Sequence, residues 1–261
     1  MNKLMKVVLL ILSYLGIRPG VFFQNLRYAP AYVGDFFKFS KKRGEWKIKL
    51  YPILTDKTDQ SGKARGVYFF QDLFVAHEVF RANPRRHVDI GSRIDGFVAH
   101  VASFREIEIL DIRPLENSIF NVQFVQADLM KPQPQLKAST DSLSCLHTIE
   151  HFGLGRYGDP IDPDGHIKGL DSMYELLEPG GTFYFSTQIG PSCVHFNAHR
   201  VFSIQYLLDL LLSRYQYELQ SFSYIDDRDQ LYKNVELTEE LIQSNAGCKL
   251  GCGIFILKKR L

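Results

Sequence analysis

From His87 onward the hydrophobic positions fall in short runs separated by helix-length stretches, the alternation of βα units around a parallel sheet. His87–Ile90 reads as the first strand, and Gly91-Ser92-Arg93-Ile94-Asp95-Gly96 as a turn into a helix that begins near Phe97. Further strands are expected at 107–110, 122–125, 142–146, 182–187, 217–224 and 253–257, with helices at 167–177 and 204–212. Glu178-Pro179-Gly180-Gly181 reads as a turn, and residues 153–165 as a long Gly/Asp/Pro loop.

The front of the chain has a different texture. Residues 7–15 are apolar, preceded by Lys3 and Lys6 and stopped by Arg18-Pro19-Gly20. That run is too short to span a bilayer, which takes about 20 apolar residues. It lacks the small-residue cleavage pattern of a secretory signal. It is expected as a packed helix, or as a segment at a membrane surface with Lys3, Lys6, Arg18 and Arg27 toward headgroups. Residues 25–49 interleave aromatic and basic side chains, consistent with a stacking platform or a helical hairpin. An amphipathic helix then leads from Val67 to Asn83-Pro84, where proline stops it. We divide the chain into an N-terminal extension, residues 1–86, packed on a core domain, residues 87–261.

Composition adds less than charge. The 261 residues are 45% hydrophobic and 23% charged, an ordinary globular balance, and the four scattered cysteines suit a reducing, cytoplasmic compartment. The net charge of +2 excludes a generally basic nucleic-acid binder. Residues 1–86 nevertheless carry sixteen Lys and Arg against six acidic residues, net +10, which leaves −8 for the rest. Such a cationic front attracts anionic headgroups or phosphorylated substrates.

In an open parallel sheet, ligands bind beyond the carboxyl ends of the strands. Gly91 and Gly96 fall where a ligand would approach backbone. Asp111, closing the second strand, is placed to accept hydrogen bonds from both hydroxyls of a ribose, and Asp128, after the third, from an adenine amino group.

With Leu146-His147-Thr148-Ile149-Glu150-His151 after the fourth strand and Leu177-Glu178-Pro179-Gly180-Gly181-Thr182 before the fifth, residues 87–257 resemble the class I S-adenosylmethionine-dependent methyltransferases. More narrowly, the strings at 87–96, 152–160, 68–72 and 196–200 resemble the DUF268 family, whose members look like methyltransferases and are often associated with surface polysaccharide synthesis. The resemblance implies a Rossmann-like fold, a mostly parallel central sheet with helices on both faces, here behind a helical and aromatic N-terminal extension. It implies S-adenosylmethionine as cofactor, bound by Asp89, Gly91, Ser92, Arg93, Gly96, Asp111, Ile112, Asp128, Leu129 and His147. One departure is the missing third glycine of the turn: Arg93 would either clash with the methionine end of that cofactor or pair with its carboxylate.

His147-Thr148-Ile149-Glu150-His151 also spells an inverted zinc-protease motif, but that chemistry needs both histidines on a helix, and no metal is expected. His151 is the candidate general base, with Glu150 and His199 as its catalytic companions; the structural alternative is that Glu150 and His151 cap the following loop. Arg156, Tyr157 and Asp159 in the long loop, and His195, Asn197 and Arg200 after the fifth strand, are candidate acceptor ligands, with Arg200 as an anion clamp. The alternatives for these two groups are a rigid capped loop and an anchor for the next helix.

The leading expectation is a methyltransferase, O-methylation favoured, acting on a sugar or surface-glycan precursor that is anionic or lipid-linked. The protein is expected in the cytoplasm, without a transmembrane span, and touching a membrane through residues 1–49. Two alternatives stand beside it: a non-catalytic binding subunit of the same fold, and an NAD-dependent nucleotide-sugar-modifying enzyme.

Overall fold

The computed structural model describes residue 12 and residues 19–59, 61–62 and 64–261. The apolar stretch at 7–15, but for Leu12, and the cations Lys3, Lys6 and Arg18 lie outside the described residues. The chain divides into two compact units, residues 1–63 and 64–261.

In the first unit, helix α1 (Pro19–Ser40) opens on proline, whose fixed φ and missing N–H suit a first turn. Residues 41–59 add only a short 3-10 turn (Asp56–Thr58), so no helical hairpin forms over 25–49.

The second unit begins before residue 87, because helix α2 (Val67–Ala82) belongs to it. Phe74, Val75, Ala76 and Val79 of α2 share a core with Phe97, Val98 and Val101. α2 ends at Asn83, whose left-handed backbone (φ 42°) closes onto the Val79 carbonyl. The strands follow as β1 (His87–Ile90), β2 (Ile107–Asp111), β3 (Val122–Gln126), β4 (Thr140–Leu146), β5 (Leu177–Ile189), β6 (Cys193–His195), β7 (His199–Val201), β8 (Glu218–Ile225), β9 (Leu231–Tyr232) and β10 (Gly251–Lys258). The eight-stranded sheet runs β3-β2-β1-β4-β5-β10-β8-β9. β1 pairs in parallel with both β2 and β4, so the winding reverses there, while β10 lies antiparallel between β5 and β8.

Period-two alternation splits the core in two. Phe183 and Phe185 join Val88 and Ile90 beneath helices α4 (Gly165–Leu176) and α5 (Ile204–Leu208), whereas Tyr184, Ile109 and Ile254 face α2 and the 94–102 segment. Three local expectations differ from this architecture. The helix after the glycine turn is a wide turn (Ile94–Val98) plus α3 (Ala99–Ala102), and the 204–212 helix widens after Leu208. Residues 178–181 form a bulge within β5, where Gly180 donates to the Lys259 carbonyl. The β6–β7 hairpin, β9 and α6 (Glu239–Gln243) carry no strong periodicity in so few residues.

Candidate functional site

At the carboxyl ends of β1 to β4 the second unit encloses a cavity of about 370 Å³, within the range of small-molecule sites. It lies where the winding reverses, the place an open α/β sheet leaves for a ligand.

The floor is the turn after β1. Gly91 has φ +67°, and a Cβ there would stand 2.5 Å from the Thr148 methyl, so glycine is required on both counts. Asp89 does not reach the cavity wall. It is fully buried and accepts from Ser92 N (2.9 Å), Ser92 Oγ (2.8 Å) and Ser144 Oγ (2.5 Å), bracing the turn from behind. Burial pushes its carboxyl up to about 6 despite these donors. Gly96 is also absent from the wall: a Cβ there would meet the Asp72 carboxylate at 2.3 Å. Arg93 does line the cavity but neither fills nor blocks it. Its guanidinium forks onto Asp95 (3.0 and 2.7 Å) and lies over the Tyr68 ring.

Asp111, Ile112, Asp128 and Leu129 line the cavity as expected. Asp111 is already engaged. Arg113 grips both of its oxygens (Nε–Oδ1 3.0 Å, Nη2–Oδ2 2.5 Å) and rests on the Tyr157 ring at 4.6 Å. A carboxylate has about four lone-pair directions, so the fork leaves acceptor capacity for a second partner. Asp128 accepts from Met130 N at 3.0 Å and pairs with Lys131 at 3.3 Å.

His147 and Glu150 form a buried pair, Nδ1 to Oε1 at 2.7 Å, and Thr187 Oγ1 donates to the other Glu150 oxygen at 3.0 Å. Burial opposes the charged ring, but the neighbouring Cys252 sulfur and the Glu150 carboxylate outweigh it and hold His147 well above the ordinary histidine range. Burial likewise opposes the Glu150 anion, and the His147 imidazolium overrides it and lowers that carboxyl. His147 reaches the cavity wall with a left-handed backbone (φ 50°), fixed by its N–H donating to the Ser186 carbonyl. Glu150, with no exposed surface, stands behind it and is not part of this cavity's wall.

His151 is set differently. Its Nδ1 donates to the Ala198 carbonyl at 2.7 Å, which leaves the lone pair on Nε2 without a hydrogen-bond partner among the described residues. Burial lowers its pKa against the pull of Glu150, and nearby Arg156 adds to the lowering, so the neutral ring is favoured at pH 7. Arg156 Nη1 donates to the same carbonyl at 3.0 Å, and the Arg156 guanidinium also lies over the Tyr157 ring, 5.1 Å from its centroid. Asp159 organises this loop by accepting from Gly155 N and Tyr157 N.

The remaining acceptor candidates are not cavity residues. Arg200 is buried and donates to the carbonyls of Phe152 (2.5 Å), Pro163 (3.1 Å) and Asp162 (3.5 Å), so it anchors the long loop and is no anion clamp. His195 and His199 stack on each other at 4.8 Å across the β6–β7 hairpin that carries Asn197 at its turn; none of the three lines the cavity, though the hairpin's Ala198 carbonyl receives both His151 and Arg156. Burial and the neighbouring His195, with smaller contributions from His151 and Arg156, lower the His199 pKa against the pull of Glu150, so His199 stays within electrostatic reach of His151 without lining the cavity.

Sequence reasoning missed Tyr68, Gln71 and Asp72, cavity residues carried by α2, and Arg113. The signal was a polar pair at 71–72 within an apolar run: Gln71 accepts from Ser186 Oγ at 2.6 Å and donates to Asp72 at 2.9 Å, all buried.

A family model described as a Caenorhabditis protein of unknown function, DUF268, matches residues 101–260. The chain belongs to the DUF268 family. No curated protein matches it. Among solved structures, this DUF268 chain is similar to the [4+2]-cyclase SpnF (13% identity, TM-score 0.53, covering 77% of this chain and 86% of that one). It is also similar to the 1,6-didemethyltoxoflavin-N1-methyltransferase of Burkholderia thailandensis with bound S-adenosylhomocysteine (16%, TM-score 0.52, 90% of each chain). The DUF268 chain thus has the Rossmann-like methyltransferase fold. A cyclase and a methyltransferase share it, so the fold alone fixes no reaction.

Proposed function

We propose that this protein is an S-adenosylmethionine-dependent methyltransferase whose cofactor and acceptor meet in the β1–β4 cavity. The observation that carries the reading is the juxtaposition of Asp111 and Asp128, at successive strand ends, with His151, which lines the same cavity and has its Nδ1 held by the Ala198 carbonyl. The wall suits the cofactor's parts: carboxylate acceptors for ribose and adenine, the apolar faces of Ile112 and Leu129 for a flat ring, and a glycine turn for close approach.

S-adenosylmethionine supplies an electrophilic methyl group already activated by its sulfonium, which leaves alignment and one proton to the protein. His151 accepts that proton at Nε2, held in the correct tautomer by Ala198. His147, locked to Glu150, forms a rigid wall beside Tyr68, at 5.2 Å between ring centroids. Arg156 and Tyr157 meet the acceptor at the mouth. We read the acceptor as a sugar or glycan precursor, anionic or lipid-linked, O-methylated on the cytoplasmic side of a membrane. Arg156, whose Nη1 is directed at the Ala198 carbonyl and the His151 ring and at no carboxylate among the described residues, supports an anionic group.

The test is transfer of labelled methyl from S-adenosylmethionine into a glycan and lipid-linked sugar fraction. Transfer is expected from the native protein and lost in His151→Gln with cofactor binding retained. Binding without any transfer would favour the non-catalytic binding-subunit reading, which draws on the Arg113 fork over Asp111.

A further inference from the structure

Helix α1 carries an apolar stripe that its own unit leaves open. Phe22, Leu26, Pro30, Val33 and Phe37 follow the 3.6-residue period, with Phe23 beside them, and all are exposed, Phe23 to 70% and Phe22 to 62%. The half-buried positions Asn25, Tyr28, Ala29, Tyr32 and Phe36 lie on a different face, so the stripe is not the unit's inward side.

Cations frame it. Residues 19–53 hold seven Lys and Arg against two carboxylates. Of those two, Asp35 is taken up by Lys57 at 2.8 Å and Lys38 at 3.5 Å. Lys41, Lys42 and Arg43 follow the helix directly, and beyond them come Trp46, 77% exposed, and exposed Leu50 and Tyr51. Aromatic bodies with a cationic border match the boundary between lipid headgroups and acyl chains. No helix among the described residues is long and apolar enough to cross a membrane, so contact would be in the plane of the surface. A second copy of the chain fits less well, because pairing would bring like charges together.

We propose that residues 19–53 form a peripheral anchor for an anionic lipid surface, with the Phe22–Phe37 stripe inserted among the headgroups and Lys38, Lys41, Lys42 and Arg43 bound to lipid phosphates. This goes beyond the reaction proposed above and does not rest on it, since vesicle binding reads this segment whatever the cavity holds.

The experiment is co-flotation of the full chain with phosphatidylcholine vesicles, with and without 30 mol% phosphatidylglycerol (about one lipid in three, near-physiological anionic content). Flotation is expected with the anionic vesicles and is expected to weaken in high salt. Each cation removed from the Lys38, Lys41, Lys42 and Arg43 set should lower partitioning about fivefold. The triple variant Phe22→Ser, Phe23→Ser, Phe37→Ser should abolish flotation while its far-UV circular dichroism matches the native protein. The Lys41→Glu, Lys42→Glu variant offers a second route should that variant misfold. No flotation with anionic vesicles, or flotation that both variants retain, overturns the proposal. A concentration-dependent dimer abolished by the Phe variant, without vesicle binding, overturns it in favour of a second copy.

Discussion

Glu150→Ala probes the buried core of the site. The carboxylate has no exposed surface and serves two buried partners, His147 Nδ1 at 2.7 Å and Thr187 Oγ1 at 3.0 Å. Removing one member of a buried ion pair costs about 3–5 kcal/mol, because the partner is left desolvated and unmatched. Glu150→Gln keeps the shape and one acceptor oxygen, which can face His147 while its NH2 turns the Thr187 hydroxyl into an acceptor, so the loss is mainly charge assistance, about 1–2 kcal/mol. Urea unfolding followed by circular dichroism reads both, with m unchanged. The pH window follows from the two shifts. The folded pKa of His147 is raised, so its contribution is complete below the unfolded value of about 6.5 and is lost as pH rises through the folded one. The folded pKa of Glu150 is lowered, so its contribution is complete above its ordinary value of 4.5 and is lost as pH falls through the folded one. The difference between native protein and Glu150→Ala is therefore largest between those two values and shrinks on the alkaline side. A loss below about 1 kcal/mol at pH 6, or a difference that grows above pH 7, would refute the pair as described.

Arg200→Ala, which orphans the Phe152, Asp162 and Pro163 carbonyls, should destabilise by about 2–4 kcal/mol, read by the same urea assay. A weakened acceptor KM without loss of stability would restore Arg200 as a ligand. His87, pushed by burial down to about 3, withholds a proton that the unfolded chain binds, so stability falls as pH drops from about 6.5 toward 3. Asp89, raised by burial to about 6, acts oppositely between its unfolded value of about 3.9 and 6, taking up a proton in the folded state first. Asp89→Asn should therefore steepen the stability loss between pH 6 and 4, and an unchanged slope in a denaturation series would contradict this. Asp111→Ala should weaken S-adenosylhomocysteine binding at least tenfold in calorimetry, whereas Arg113→Ala, which frees that carboxylate, should leave it as tight or tighter.

Much of the sheet was legible because each strand is a short apolar run with a turn signal at its end: 87–90, 107–110 and 142–146 stand out in the pattern of residues alone, within a residue or two of the observed strands. The acids Asp111 and Asp128 were legible for the same reason, since a strand end fixes which edge of the sheet a residue occupies. What depends on tertiary return was not. Arg200 follows β5 in the chain, near the expected acceptor side, but the β6–β7 hairpin turns it back beneath the 152–163 loop. Gln71 and Asp72 sit in an ordinary amphipathic helix, and only its packing over the glycine turn makes them part of the cavity. Glu150 reads as a catalytic acid beside His151, yet its side chain is spent on His147. Arg113, two residues past Asp111, was within reach of inspection as an Asp-x-Arg fork at a strand end.

The central claim is that the β1–β4 cavity takes an adenosyl cofactor through Asp111 and Asp128. Isothermal titration of the full chain with S-adenosylhomocysteine, and separately with NAD, tests it most directly. The account predicts saturable one-to-one binding of S-adenosylhomocysteine and none of NAD; saturable NAD binding, or no binding of either, would contradict it.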